Sequence, residues 1–150
     1  MYFWKVLKND RDQDLTMGLV LIITDRERGY NDLFQTLSFT GEKIKVCPFS
    51  DAPDVVKDCQ VDIILLDCNV DIDAGLKLLK ENKTACPNIP NIFLTDVTYE
   101  GVVLKAFRAG ARDFFRKPVN TSELQETVQG LLVVKRSSKE QRFPFIKSNG

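Results

Sequence analysis

The sequence predicts an α/β protein: a three-layer αβα doubly wound sandwich around a five-stranded parallel sheet. Three observations carry this. Short apolar runs alternate with longer amphipathic segments five times along the chain, the pattern of repeated β-α units with right-handed crossovers. The runs Leu19-Val20-Leu21-Ile22-Ile23 and Ile63-Ile64-Leu65-Leu66 are apolar throughout, as in strands covered on both faces. Gly41, Pro48, Gly110 and Pro118 stand where segments end, and these residues punctuate secondary structure.

Taken in order, residues 1–17 form a lead-in. Tyr2, Phe3 and Trp4 open it, and a polar stretch from Lys8 to Asp14 follows. That aromatic start is an apolar patch unless it docks as an extra strand or helix, or packs in a dimer. The domain proper spans 18–135. Its first strand is Leu19-Val20-Leu21-Ile22-Ile23, and a helix over 30–39 carries Tyr30, Leu33, Phe34 and Leu37 on one face until Gly41 stops it. Ile44-Lys45-Val46-Cys47 is the second strand. A weak helix over 50–59 follows, with Pro53 near its first turn.

The third strand, Ile63-Ile64-Leu65-Leu66, runs into Asp67, and a helix over 75–83 presents Leu76, Leu78 and Leu79. Asn91-Ile92-Phe93-Leu94 is the fourth strand, and a helix over 98–109 closes at Gly110. Asp113-Phe114-Phe115-Arg116 is the fifth. Asn120 or Thr121 caps a last helix through Leu124, Val128, Leu131 and Leu132, and Asn120 with Glu123 three residues on reads as a capping-box-like start. Residues 136–150 read as a linker or tail.

Composition narrows the chemistry. Among 150 residues, 43% are hydrophobic and 28% charged, a soluble globular mixture with one core. Lys+Arg and Asp+Glu both count 21, so there is no basic field for direct nucleic-acid binding. Apolar runs are too short for a membrane span. The first residues make a poor signal peptide, and the expected location is the cytoplasm. The chain has no histidine, which removes Ser-His-Asp and Cys-His catalysis and histidine metal sites. Cys47, Cys59, Cys68 and Cys86 show no CxxC spacing and are expected as plain thiols in a reducing compartment.

In a parallel sheet the ligand site lies outside the carboxyl ends of the strands. Here those ends carry Asp25, Asp67, Thr95 and Lys117. Two carboxylates with phosphate oxygens and water suit Mg²⁺, and a carboxylate beside such an ion can attack phosphorus. An ammonium and a hydroxyl then neutralise and hydrogen-bond the transferring group. A cis Lys117-Pro118 bond would fix the lysine's direction.

These pieces together resemble a response-regulator receiver domain of the CheY-like kind. The matching stretches are Val20-Leu21-Ile22-Ile23-Thr24-Asp25, Asp62-Ile63-Ile64-Leu65-Leu66-Asp67, Gly75-Leu76-Lys77-Leu78-Leu79, Phe93-Leu94-Thr95 and Ala109 through Pro118. The resemblance implies a flavodoxin-like sheet with the strand order 2-1-3-4-5 that receivers share. It implies that Asp67 accepts a phosphoryl group from a sensor histidine kinase or phosphotransfer protein. It further implies that Thr95 and Lys117 bind that group, and that Mg²⁺ sits on Asp25, Asp67 and the backbone carbonyl of Asn69. Phe114 would be the aromatic that reorients on activation. Such a module is a phosphoacceptor and not an enzyme in its own right; an output domain or a second copy is the further partner, and no membrane is involved.

Departures from the family pattern bear on activity. Thr24 stands where the first of two acidic residues is usual, which weakens the metal site. Asp96 follows Thr95 in place of a small residue and adds charge and bulk at the entrance. Asp71 replaces a proline and, with Asp73, acidifies that loop; Arg26 could reach in and stand in for the metal's charge. The alternative reading is therefore a degenerate, phosphorylation-independent interaction module. A flavin- or nucleotide-binding protein on the same fold is disfavoured, because no glycine-rich phosphate loop follows the first strand.

Overall fold

The computed structural model describes residues 5–7, 18–26, 35, 37, 41–97 and 99–134. The predicted helix over 30–39 therefore shows only Gln35 and Leu37, both helical, with Leu37 fully buried. Most of the lead-in and the whole tail over 136–150 lie outside the described residues.

The strands are β1 (Lys5–Leu7), β2 (Leu19–Thr24), β3 (Lys43–Pro48), β4 (Ile63–Asp67), β5 (Asn91–Thr95) and β6 (Asp113–Arg116). They form one sheet in the order β1-β3-β2-β4-β5-β6. The five strands β3-β2-β4-β5-β6 are parallel throughout, so the expected five-strand parallel order holds. The sheet has one more member than expected: β1 pairs antiparallel with β3, Val6 opposite Lys45. Of the lead-in, Lys5–Leu7 thus docks as an extra strand.

The helices are α1 (Ala52–Val56), α2 (Ile72–Ala85), α3 (Glu100–Ala109) and α4 (121–134). The predicted weak helix over 50–59 is shorter, a 3-10 turn at Phe49–Asp51 leading into α1. Cys59, three residues past the end of α1, has a φ of 54°. By contrast α2 is longer than predicted, because the Asp71 carboxylate accepts the Ala74 N–H at 3.0 Å and caps the helix so that it starts at Ile72, three residues before Gly75. Asp71 is therefore a helix cap as well as an acidic residue of that loop. Gly110 ends α3 at φ 115°, a conformation few side chains adopt. The Asn120 side chain accepts the Glu123 N–H at 3.1 Å at the start of α4, as predicted.

Two apolar layers sandwich the sheet. One face of β2 and β4 (Leu21, Ile23, Ile64, Leu66) packs with α1, α2 and α3. The other (Val20, Ile22, Ile63, Leu65) packs with Leu124, Val128 and Leu132 of α4. All eight strand residues are 0% exposed, which explains why these runs are apolar at every position. Gly75 lets α2 approach the sheet closely: a Cβ there would stand 2.5 Å from Cys68 Sγ.

The cysteine expectation holds for Cys47 and Cys68, both buried free thiols. It is corrected for Cys59 and Cys86, which form a disulfide with Cα atoms 5.7 Å apart. They are 27 residues apart in sequence, and the turn after α1 and the end of α2 bring them together at the amino end of the sheet. No helix among the described residues is long and apolar enough to cross a membrane.

Candidate functional site

Register sets the floor of the site. Thr24, the last residue of β2, lies opposite Asp67, the last residue of β4, and Asp67 lies opposite Leu94 of β5. Three parallel strands therefore release their chains at one edge. Asp67 is 0% exposed, and a buried carboxylate must be paired. One oxygen, Oδ1, forms an ion pair with Lys117 Nζ, whose side chain is one-fifth exposed. The other, Oδ2, accepts the Thr24 hydroxyl at 2.8 Å. The loop carrying Lys117 is held by its N–H donating to Thr95 O at 2.9 Å, and the Lys117-Pro118 bond is cis.

Thr24 thus stands directly beside Asp67. Its oxygen also accepts the Arg26 N–H at 3.1 Å. Asp25 points elsewhere. Its carboxylate accepts backbone N–H groups of the loop after β4: Asn69 at 3.0 Å to either oxygen, Val70 at 2.7 Å and Asp71 at 3.2 Å. This fan fixes the loop that begins next to Asp67.

Thr95 is fully buried at the same edge. Its oxygen accepts the Val97 N–H at 3.1 Å, and its hydroxyl proton finds no acceptor among the described residues. Phe114 stands one strand further out and packs under the edge, its ring stacked on Phe93 with centroids 5.9 Å apart. Asp96 follows Thr95 at the entrance and does not stand there alone. It pairs with Arg26 at 3.4 Å, both side chains near half exposed. Arg26 is accordingly engaged at the mouth.

Cys68, beside Asp67, offers no nucleophile. Burial, with the Asp25, Asp67 and Asp71 carboxylates adding to it, pushes its thiol up to about 12.

The donor set can be weighed for Mg²⁺. Among the described residues no three of His, Cys, Asp or Glu gather as a metal cluster. Asp25 and Asp67 remain, and Mg²⁺ is commonly held by one or two carboxylates plus water and phosphate oxygens. Asn69 Oδ1 is buried without a hydrogen-bond partner among the described residues, while Asn69 Nδ2 lies 3.4 Å from Asp25. The Asn69 Oδ1 is a hard oxygen left for a cation, while the Nδ2 donor is the atom that faces Asp25. The set matches a weak site, because an ion must compete with the N–H fan on Asp25.

Fold and site together define a doubly wound α/β domain with a buried, lysine-paired aspartate at the carboxyl edge of its sheet. The family model described as response regulator receiver domain matches residues 20–129, and the chain belongs to that family. It is 29% identical over 127 residues to the transcriptional regulatory protein ZraR of Salmonella typhimurium, covering 85% of this chain and 26% of the relative. It is 32% identical over 114 residues to the response regulator SaeR of Staphylococcus aureus, covering 75% and 50%. The chain thus matches between a quarter and a half of these relatives' lengths. Among solved structures, a CheY-like receiver domain protein of Methanospirillum hungatei superposes with a TM-score of 0.72. It has 20% identity and covers 81% of this chain and 98% of that one.

Sequence reading gathered Asp25, Asp67, Thr95 and Lys117 correctly to one edge. It missed the Asp71 cap and the Arg26–Asp96 pair. An Asp preceding a helix was a legible capping signal; the ion pair, across 70 residues, left no local signal.

Proposed function

We propose that Asp67 accepts a phosphoryl group from a phosphohistidine on a sensor histidine kinase or phosphotransfer protein. The observation that carries this is the buried Asp67–Lys117 pair at the strand edge. A carboxylate oxygen of Asp67 forms the new P–O bond while the donor's P–N bond breaks. The imidazole leaves with that electron pair and is reprotonated from solvent. Lys117 neutralises the charge gained by the phosphoryl oxygens, and the Thr95 hydroxyl, its proton without an acceptor among the described residues, donates to one of them. Thr24 keeps Asp67 oriented. Mg²⁺, held by Asp25, Asp67 and the backbone carbonyl of Asn69, would add charge neutralisation when bound. Phe114, in contact with Phe93 of β5, is the ring proposed to move as Thr95 engages.

On this reading the domain works in the cytoplasm, where the Cys59–Cys86 bond would meet reductants. It acts through an output domain or a second copy and not through nucleic acid directly. The test is incubation with acetyl phosphate and Mg²⁺, read by intact mass. A gain of one phosphoryl group, absent in Asp67→Asn, is expected. No gain at high Mg²⁺ favours a phosphorylation-independent interaction module.

A further inference from the structure

Arg26 lies two residues beyond the end of β2, and Asp96 one residue beyond the end of β5. In the sheet, β4 runs between those two strands. The Arg26–Asp96 ion pair therefore crosses the carboxyl end of β4, where Asp67 sits. We propose that this pair is a clasp over the acceptor, and that its opening sets how freely a reagent or phosphodonor reaches Asp67. Its role in signalling rests on the phosphoacceptor reading above.

Three observations support the clasp. Asp67 and Thr95 are 0% exposed and Thr24 is 6% exposed, so no reagent meets the acceptor until something above it moves. The two clasp residues are themselves near half exposed, placing them on the solvent side of that buried set. Arg26 is also linked to the acceptor through hydrogen bonds: its N–H donates to Thr24 Oγ1, and the Thr24 hydroxyl donates to Asp67 Oδ2. Opening the clasp thus loosens the groups that orient Asp67. An exposed pair of this kind shifts a population by a factor of up to ~5, which suits a gate that opens readily.

The test uses the full chain carrying Asp67→Cys and iodoacetamide, a small uncharged reagent that reports access without charge steering. Cys47 and Cys68 are buried and their thiols pushed up to about 12, so they contribute little background. Arg26→Ala and Asp96→Ala should each raise the alkylation rate about two- to five-fold. R26D combined with D96R should return it to that of the parent. Equal rates, or changes in opposite directions, overturn the clasp. Should Asp67→Cys fail to fold, hydrogen exchange at the Arg26 amide in the native background replaces it. That exchange should quicken in Asp96→Ala, and an unchanged rate overturns the clasp. Acetyl phosphate labelling in the same backgrounds separates the two proposals. Access that responds as expected in a chain that takes no phosphoryl group keeps the clasp and removes the phosphoacceptor reading.

Discussion

Replacing Lys117 by methionine keeps most of the side chain's length and apolar body but deletes its charge. Asp67, 0% exposed, is then left with the Thr24 hydroxyl on one oxygen and no cation on the other. Removing one partner of a buried ion pair costs ~3–5 kcal/mol. The lower end applies here, because the lysine side chain is one-fifth exposed and water can follow it in. We expect Lys117→Met to lose ~3 kcal/mol, a fall in Tm of about 6–12 °C for a chain of this size. The urea midpoint should drop by about 1–2 M with an unchanged slope. Adding Asp67→Asn removes the stranded charge and should recover ~2 kcal/mol, so the coupling in the double-mutant cycle is about that size plus whatever Asp67→Asn costs alone. A loss under ~1 kcal/mol, or strictly additive single effects, would refute the view that Lys117 compensates a buried Asp67.

Further outcomes follow from the same structure. Thr24→Asp sets a second carboxylate against Asp67 Oδ2, now 2.8 Å from the threonine hydroxyl; the variant without metal should lose ~1 kcal/mol, and Mg²⁺ should raise its Tm more than the parent's, equal responses counting against Thr24 as the missing acidic position. Gly75→Ala pushes a methyl toward Cys68 Sγ and should cost a net ~1–2 kcal/mol in thermal melts after its gain in helix propensity, with Cys68→Ala relieving it. In thiol titration at pH 8 the native chain should react at neither Cys47 nor Cys68, the unfolded chain at two thiols and the reduced unfolded chain at four; reduction should cost up to ~3.5 kcal/mol for a loop of about 27 residues. Because the folded pKa of both free thiols, about 12, lies above the ordinary thiol value of 9.0, their contribution is complete below pH 9 and is lost as pH rises toward 12; a Cys47→Ala, Cys68→Ala chain should lose less stability over that interval.

What could be read from the sequence was whatever depends on burial and on local backbone chemistry. The β4 run Ile63-Ile64-Leu65-Leu66 is apolar at each position because helices cover both faces, and that pattern is visible without coordinates. Gly110 and Asn120 announce a helix end and a helix start through their own backbone and side-chain preferences. Parallel alternation then sends every strand end to one edge, which is why Asp25, Asp67, Thr95 and Lys117 could be grouped in advance. The partners of these groups could not. That Asp25 accepts the N–H groups of residues 69–71, that Thr24 donates to Asp67, and that Arg26 meets Asp96 were decided by the tertiary structure. So were the Cys59–Cys86 bond and the docking of Lys5–Leu7 on β3. Hydrophobic periodicity reports which residues leave water. Hydrogen bonds and ion pairs depend on distances of a few tenths of an ångström between segments far apart in sequence, and only the packed sheet sets those.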